Sequence, residues 1–145
     1  MNDYESLALT ALRNAIRSLQ EAVDIAGDHD FMTQQTPPVQ RTLTAGLIQN
    51  FEFTYEIAVK LLRRRLERDA DSPEEIDAGN FRELLRTAGE KGLLADVAAW
   101  FAHRKMRNIT PHTYRQEKAG QVCRHIPTFL ADAYRLLQQL EARNA

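Results

Sequence analysis

The residues best suited to chemistry in this 145-residue chain are crowded into one stretch, Arg104-Lys105-Met106-Arg107-Asn108-Ile109-Thr110-Pro111-His112-Thr113-Tyr114. Arginine offers a planar fork of donors matched to phosphate. Histidine is the side chain that most readily moves a proton near neutral pH, and asparagine supplies both a donor and an acceptor. Arg107, Asn108 and His112 together suit cleavage of an RNA phosphodiester without a metal. In that reaction the 2′-hydroxyl loses a proton, the leaving oxygen gains one, and the phosphorane charge is stabilised. Pro111 sets the local geometry, because its ring fixes φ and removes a donor, which suits the first turn of a helix. Thr110, the residue before it, is disfavoured in the α region and carries a hydroxyl suited to an N-cap. The expectation is one helix ending near Arg107 to Ile109 and another starting at Thr110 or Pro111, with His112 in its first turn. The free N–H groups of that start would favour an anion beside Arg107. The same residues have a plainer reading: a simple turn at Thr110-Pro111, Arg107 as a helix-dipole partner, and His112 on the surface. Arg-x4-His alone arises often by accident.

The elements that must hold this corner read as helices throughout. Leu9, Leu12, Ile16, Leu19 and Val23 form a stripe at three and four over a first helix from Tyr4 to Ala26, stopped at Gly27. Asp30 to Pro38 reads as a loop. A long second helix follows from Val39 to Asp69, with Leu43, Leu47, Phe51, Ala58, Leu61 and Leu62 as apolar markers. Phe53 and Ile57 widen its face enough to suggest a second neighbour, such as another copy of the chain. Lys60, Arg63, Arg64, Arg65 and Arg68 make its end basic, either as a solvated end complementing the dipole or as a phosphate-facing patch. Ser72-Pro73-Glu74-Glu75 opens a short helix with a hydroxyl cap. Asn80, with Glu83 in the capping-box position, opens another through Phe81, Leu84, Leu85 and Ala88 to Lys91-Gly92. Leu93 to Met106 makes the next, with Trp100 as a core or interface anchor and His103 read as a surface residue or a phosphate contact beside Arg107. The last helix runs from Pro111 to Ala142, buried along Val122, Ile126, Phe129, Leu130, Ala133, Leu137 and Leu140, with a kink expected at Pro127. The fold class is all-α, a four- to five-helix bundle in up-and-down order.

Composition narrows the function. A net charge of −1 and a sequence pI near 6.4 exclude a general nucleic-acid coating protein, so any RNA contact is local. The single cysteine, Cys123, excludes an internal disulfide and lies on an apolar helical face as a small core residue. No Cys/His cluster has metal-ligand spacing and no glycine-rich phosphate loop exists, so neither metal nor cofactor is expected. The N-terminus lacks a secretory pattern and no apolar run reaches membrane length, which points to a cytoplasmic, membrane-free protein of one domain over residues 1–145.

Three segments carry a resemblance to a known family. They are Ile48-Gln49-Asn50-Phe51-Glu52-Phe53-Thr54-Tyr55-Glu56 with Lys60-Leu61-Leu62, Phe81 to Ala88 through Gly92-Leu93-Leu94, and Arg107-Asn108-Ile109-Thr110-Pro111-His112-Thr113-Tyr114 as Arg-x4-His-x-Tyr. In this order over most of the chain they resemble the all-helical HEPN superfamily, within it the nucleotidyltransferase substrate-binding proteins related to HepT toxins. Pro111 departs from the pattern, where a small polar residue is commoner. The resemblance implies a homodimer whose motifs face a shared cleft that takes RNA, and a minimal nucleotidyltransferase encoded nearby as partner. It implies Arg107 and His112 as ribonuclease residues supported by Asn108, and Tyr114 as the site of adenylylation that silences the toxin. An older reading of the same family makes the dimer a substrate-binding module without chemistry. Tyr114 itself is open to two roles: an exposed acceptor beside the cleft, or a half-buried ring bonded through its hydroxyl.

Overall fold

Three long helices carry the computed structural model, which describes residues 3–144. These are α1 (Asp3–Ala26), α3 (Pro37–Asp69) and α7 (Gln116–Asn144). Between them lie α2 (His29–Thr33), α4 (Pro73–Ala78), α5 (Phe81–Glu90) and α6 (Val97–Ile109), with a 3-10 turn at Thr110–His112. No strand occurs among the described residues, so the class is all-α as the periodicity indicated.

Cross-helix bonds set the directions. Ser18 Oγ donates to Asn50 Oδ1 at 2.6 Å, Thr54 Oγ1 lies 3.2 Å from the Ala15 carbonyl, and Arg68 pairs with Glu5 at 2.7 Å. Numbers rising on α3 therefore meet numbers falling on α1, and the pair is antiparallel. α3 and α7 run the same way, because Phe51 meets Phe129 near their middles while Leu61 and Leu140 line one pocket further on.

The stripes read from the sequence are the ones buried: Leu12, Leu19, Phe51, Ala58, Leu62, Val122, Ile126 and Phe129 are fully enclosed. An aromatic knot sits at the centre. Phe129 takes Phe51 edge-on at 5.0 Å and Trp100 at 5.9 Å, the geometry that ring quadrupoles favour. Trp100 is thus a core anchor.

The local ends follow their chemistry, with some differences from the sequence reading. Asn80 accepts from the Glu83 N–H at 2.9 Å, the expected cap. Gly92 adopts a φ of 77°, which lets the Leu93 N–H reach back to the Ala88 carbonyl at 2.9 Å and close the helix end. The stretch read as a loop after residue 30 holds α2, because Asp28 caps it by accepting from the Phe31 N–H at 3.0 Å. α3 begins at Pro37 and not Val39, its two prolines filling positions that need no N–H donor. α6 begins at Val97 and not Leu93, because Asp96 accepts from the Ala99 N–H at 3.0 Å and sets the first turn there. Ser72 does not cap the backbone; its hydroxyl donates to the Glu74 carboxylate at 2.6 Å. α7 continues through Pro127 without interruption. At the basic end of α3, Arg65 pairs with Asp69 at 2.9 Å and Arg68 with Glu5, in keeping with a solvated, ion-paired end.

Candidate active site

The Arg-x4-His-x-Tyr stretch spans the junction of α6 and α7, but not as a simple helix start. α6 ends at Ile109 as expected, yet Thr110 is not an N-cap: it keeps helical dihedrals (φ −55°, ψ −32°). Its hydroxyl explains why. Thr110 Oγ1 lies 2.8 Å from the Arg107 carbonyl, a bond back along the helix, and 3.1 Å from Glu52 Oε2. Those contacts override the preference of a residue before proline for extended backbone. Pro111 and His112 then complete a 3-10 turn, Thr113 Oγ1 donates to the Thr110 carbonyl at 2.8 Å, and α7 starts at Gln116. His112 therefore lies four residues before the helix, and the ring of free N–H groups expected around it is not assembled there.

Arg107 is held by α3. Its Nη2 bonds Glu56 Oε1, and its Nη1 stands 3.3 Å from Glu52 Oε2 and 2.9 Å from Thr110 Oγ1. Its Nε is buried without a partner. The side chain is 26% exposed, so the guanidinium is a positioned group and not a waving surface charge. Glu52 and Glu56 were missed as site residues. Their i, i+4 spacing places them on one stripe of α3, but which cation they meet is a contact across more than fifty residues of chain.

Asn108, His112 and Tyr114 are exposed on the outer side of the corner. Tyr114 is 77% exposed, and its ring stands 6.3 Å from the His112 ring, edge-on. That position excludes the half-buried role for Tyr114. Beside it, α3 and the start of α7 enclose an open groove of about 700 Å³, with Tyr114 and Thr113 on one wall and Arg41 and Thr44 on the other. The structure thus gathers His112 and Tyr114 on one turn, and fixes Arg107 one turn earlier against the acids of α3.

His103 is not on the surface. It is fully buried, with Trp100 and Phe129 edge-on to its ring at 5.1 Å each. Its Nε2 lies 2.7 Å from Asp132 Oδ2 and its Nδ1 lies 2.7 Å from His125 Nε2. Burial holds both histidines below the usual imidazole range, opposed by Asp132. His103 of α6 and His125 of α7 are therefore partners. The signal was present: Trp100, His103 and Met106 are spaced as one apolar stripe. Cys123, expected as a core residue, is half-buried against the core, and partial burial raises its thiol; burial pushes the Tyr55 hydroxyl up to about 12. Among the described residues, no group of three or more His, Cys, Asp or Glu side chains is placed to hold a metal ion, and no helix is long and apolar enough to cross a membrane.

The architecture has close counterparts. The family described as nucleotidyltransferase substrate binding protein like matches residues 7–142. The chain belongs to that family. A Haemophilus influenzae protein named probable ribonuclease HepT is 44% identical over 140 residues, which is 97% of this chain and 96% of that protein. A solved Haemophilus influenzae structure, described as revealing the fold of a substrate binding domain of a nucleotidyltransferase, superposes with a TM-score of 0.89. It is 44% identical and covers 92% of this chain and 98% of its own. The family and its helical fold were legible from the three segments quoted above; the acids that hold Arg107 were not.

Proposed function

We propose that this chain is the helical partner of a minimal nucleotidyltransferase in a two-component, toxin–antitoxin-like system, and that it is a cytoplasmic, metal-independent endoribonuclease acting as a homodimer. Arg107 binds the scissile phosphate. His112 takes the proton from the 2′-hydroxyl as that oxygen forms its bond to phosphorus, and a proton is returned to the 5′-oxygen as its bond breaks. Asn108 supports the phosphate through its amide. Tyr114 accepts adenylyl groups from the partner: its oxygen bonds the α-phosphorus of ATP and pyrophosphate leaves. The observation that carries this reading is the shared turn, with an open tyrosine edge-on to an open histidine. A nucleotide on Tyr114 sets a phosphate and a purine beside the proton-moving group, so charge competition and steric blocking silence it without refolding.

One observation favours the non-catalytic alternative, in which the dimer only binds substrate for the transferase. Glu52 and Glu56 already occupy the Arg107 guanidinium, and a phosphate must compete with them. One experiment separates the two. Purified protein is incubated with RNA in excess chelator, with and without prior exposure to the neighbouring nucleotidyltransferase and ATP, and then weighed. The ribonuclease reading expects cleavage that His112→Ala abolishes, together with a mass gain of whole adenylyl units that disappears in Tyr114→Phe. Cleavage surviving His112→Ala, no cleavage by the protein not exposed to the partner, or no mass gain after exposure to an active partner leaves the binding module as the better account.

A further inference from the structure

The outer surface of α5 and α6 carries a cluster that the residues above do not use. Arg82 and Arg86 lie exposed one turn apart on α5, and Arg104 and Lys105 lie exposed on α6, one turn before Arg107 and Asn108. Among the described residues none of these four cations forms an ion pair. Two are laid over aromatic rings instead. The Arg104 guanidinium carbon stands 4.1 Å from the centre of the Phe81 ring, and that of Arg82 stands 5.4 Å from the centre of Phe101. The two rings meet edge-on at 6.4 Å. Beside them α5 and α6 leave an open groove of about 600 Å³ walled by Arg82, Arg86 and Phe101, with Glu90 its one carboxylate among the described residues. The cluster is continuous with the Arg107 corner, since Arg104 and Arg107 share a side of α6 and both charges bear on the Tyr55 hydroxyl of α3.

We propose that this strip is a track for single-stranded RNA, in which Arg82, Arg86 and Lys105 meet backbone phosphates and a nucleobase stacks on the outer plane of the Arg104 guanidinium. Its link to cleavage rests on the ribonuclease reading above; its RNA binding does not. A guanidinium backed by a ring keeps its edges for phosphate and its outer face for a base. An acidic protein surface would use the edges alone. Single strands suit the site because their bases are free to turn outward and stack. The surrounding chain has a net charge of −1, so the attraction is local.

The test uses full-length protein carrying His112→Ala, so that RNA is not consumed, and a fluorescently labelled single-stranded RNA oligonucleotide of mixed sequence. Binding is followed by anisotropy over a salt series. Adding Arg82→Gln and Arg86→Gln removes two phosphate contacts. The expected result is at least about a fivefold loss of affinity at low salt and a salt dependence shallower by about 1.4 in log–log slope. Arg104→Gln should weaken binding with a smaller change of slope, because it removes stacking. Unchanged helicity by circular dichroism and retained nucleotidyltransferase binding show that the effect is local. RNA binding that is indifferent to all three substitutions overturns the proposal, as does loss of nucleotidyltransferase binding with RNA binding intact. If RNA is bound in this arginine-dependent way but never cleaved by the natural sequence, the track stands and the ribonuclease reading falls. If the natural sequence cleaves RNA and the arginine variants bind it with undiminished affinity, the reverse holds.

Discussion

Arg107 and His103 show how far a side chain's role depends on what it meets. Both lie on α6, one turn apart, and both are polar. Arg107 points to the acids of α3 and stays partly open, whereas His103 turns into the aromatic core and is sealed there. A fully buried imidazole is costly to charge, and the chain from Asp132 through His103 to His125 satisfies the ring nitrogens without doing so. In the arrangement with His103 neutral, its Nε2–H donates to Asp132 and its Nδ1 accepts from His125. This has a consequence for stability. Burial holds both histidines below the ordinary imidazole value of 6.5, so below about that pH the unfolded chain binds more protons than the folded one. Their contribution is fully present above about pH 6.5 and is lost as pH falls through the folded values. Thermal melts between pH 7.5 and 5 (roughly the span in which histidine titrates) should show a falling midpoint, and His125→Gln should flatten that fall. A midpoint as steep in His125→Gln as in the natural sequence would assign the pH dependence to other groups.

At the scale of the element, short capping contacts decide where helices begin, and through that where the candidate site sits. α6 starts at Val97 because the Asp96 carboxylate accepts from the Ala99 N–H. The start sets the phase of Trp100, His103 and Arg107. Asp96→Ala should cost about 1 kcal/mol of unfolding free energy, within the roughly 0.5–2 kcal/mol range of such caps. Urea denaturation followed by circular dichroism measures it. No shift in the midpoint would mean that packing of Trp100 alone holds the helix start. The 3-10 turn at Thr110–His112 shows the opposite balance. There a local preference is overridden, because the Thr110 hydroxyl and the Glu52 carboxylate together keep a pre-proline residue helical.

At the scale of the whole molecule, the exposed side of α3 is the feature left without a neighbour. Phe51 is enclosed, but Phe53 is 58% exposed. It lies in an open groove with Gln49, Asn50, Glu52 and Glu56, next to the acids that hold Arg107. A large ring left in water beside the candidate site suits a symmetric interface that brings two such sites together. Light scattering at micromolar concentration should give twice the 16.6 kDa chain mass. Phe53→Glu should shift the protein toward the single-chain mass with its helicity intact. A single-chain mass for the natural sequence would remove the shared-cleft reading.

What the sequence determined by itself is whatever repeats locally. Apolar residues at three and four placed Leu12, Leu19, Leu62, Phe129 and Leu137 on buried faces, because a helix turns every 3.6 residues whatever surrounds it. Asn80 and Gly92 marked helix ends for the same reason, their effect being complete within one turn. The nearness of His112 and Tyr114 on one turn was legible because they are neighbours in the chain. Tertiary structure alone decided the rest. The pairing of Arg107 with Glu52 and Glu56, the burial of His103 against His125 and Asp132, and the helical dihedrals of Thr110 all depend on partners far away in sequence. A charge or an imidazole carries no periodic mark of the partner it will find. Its role is set when packing removes water and leaves one set of groups within bonding distance.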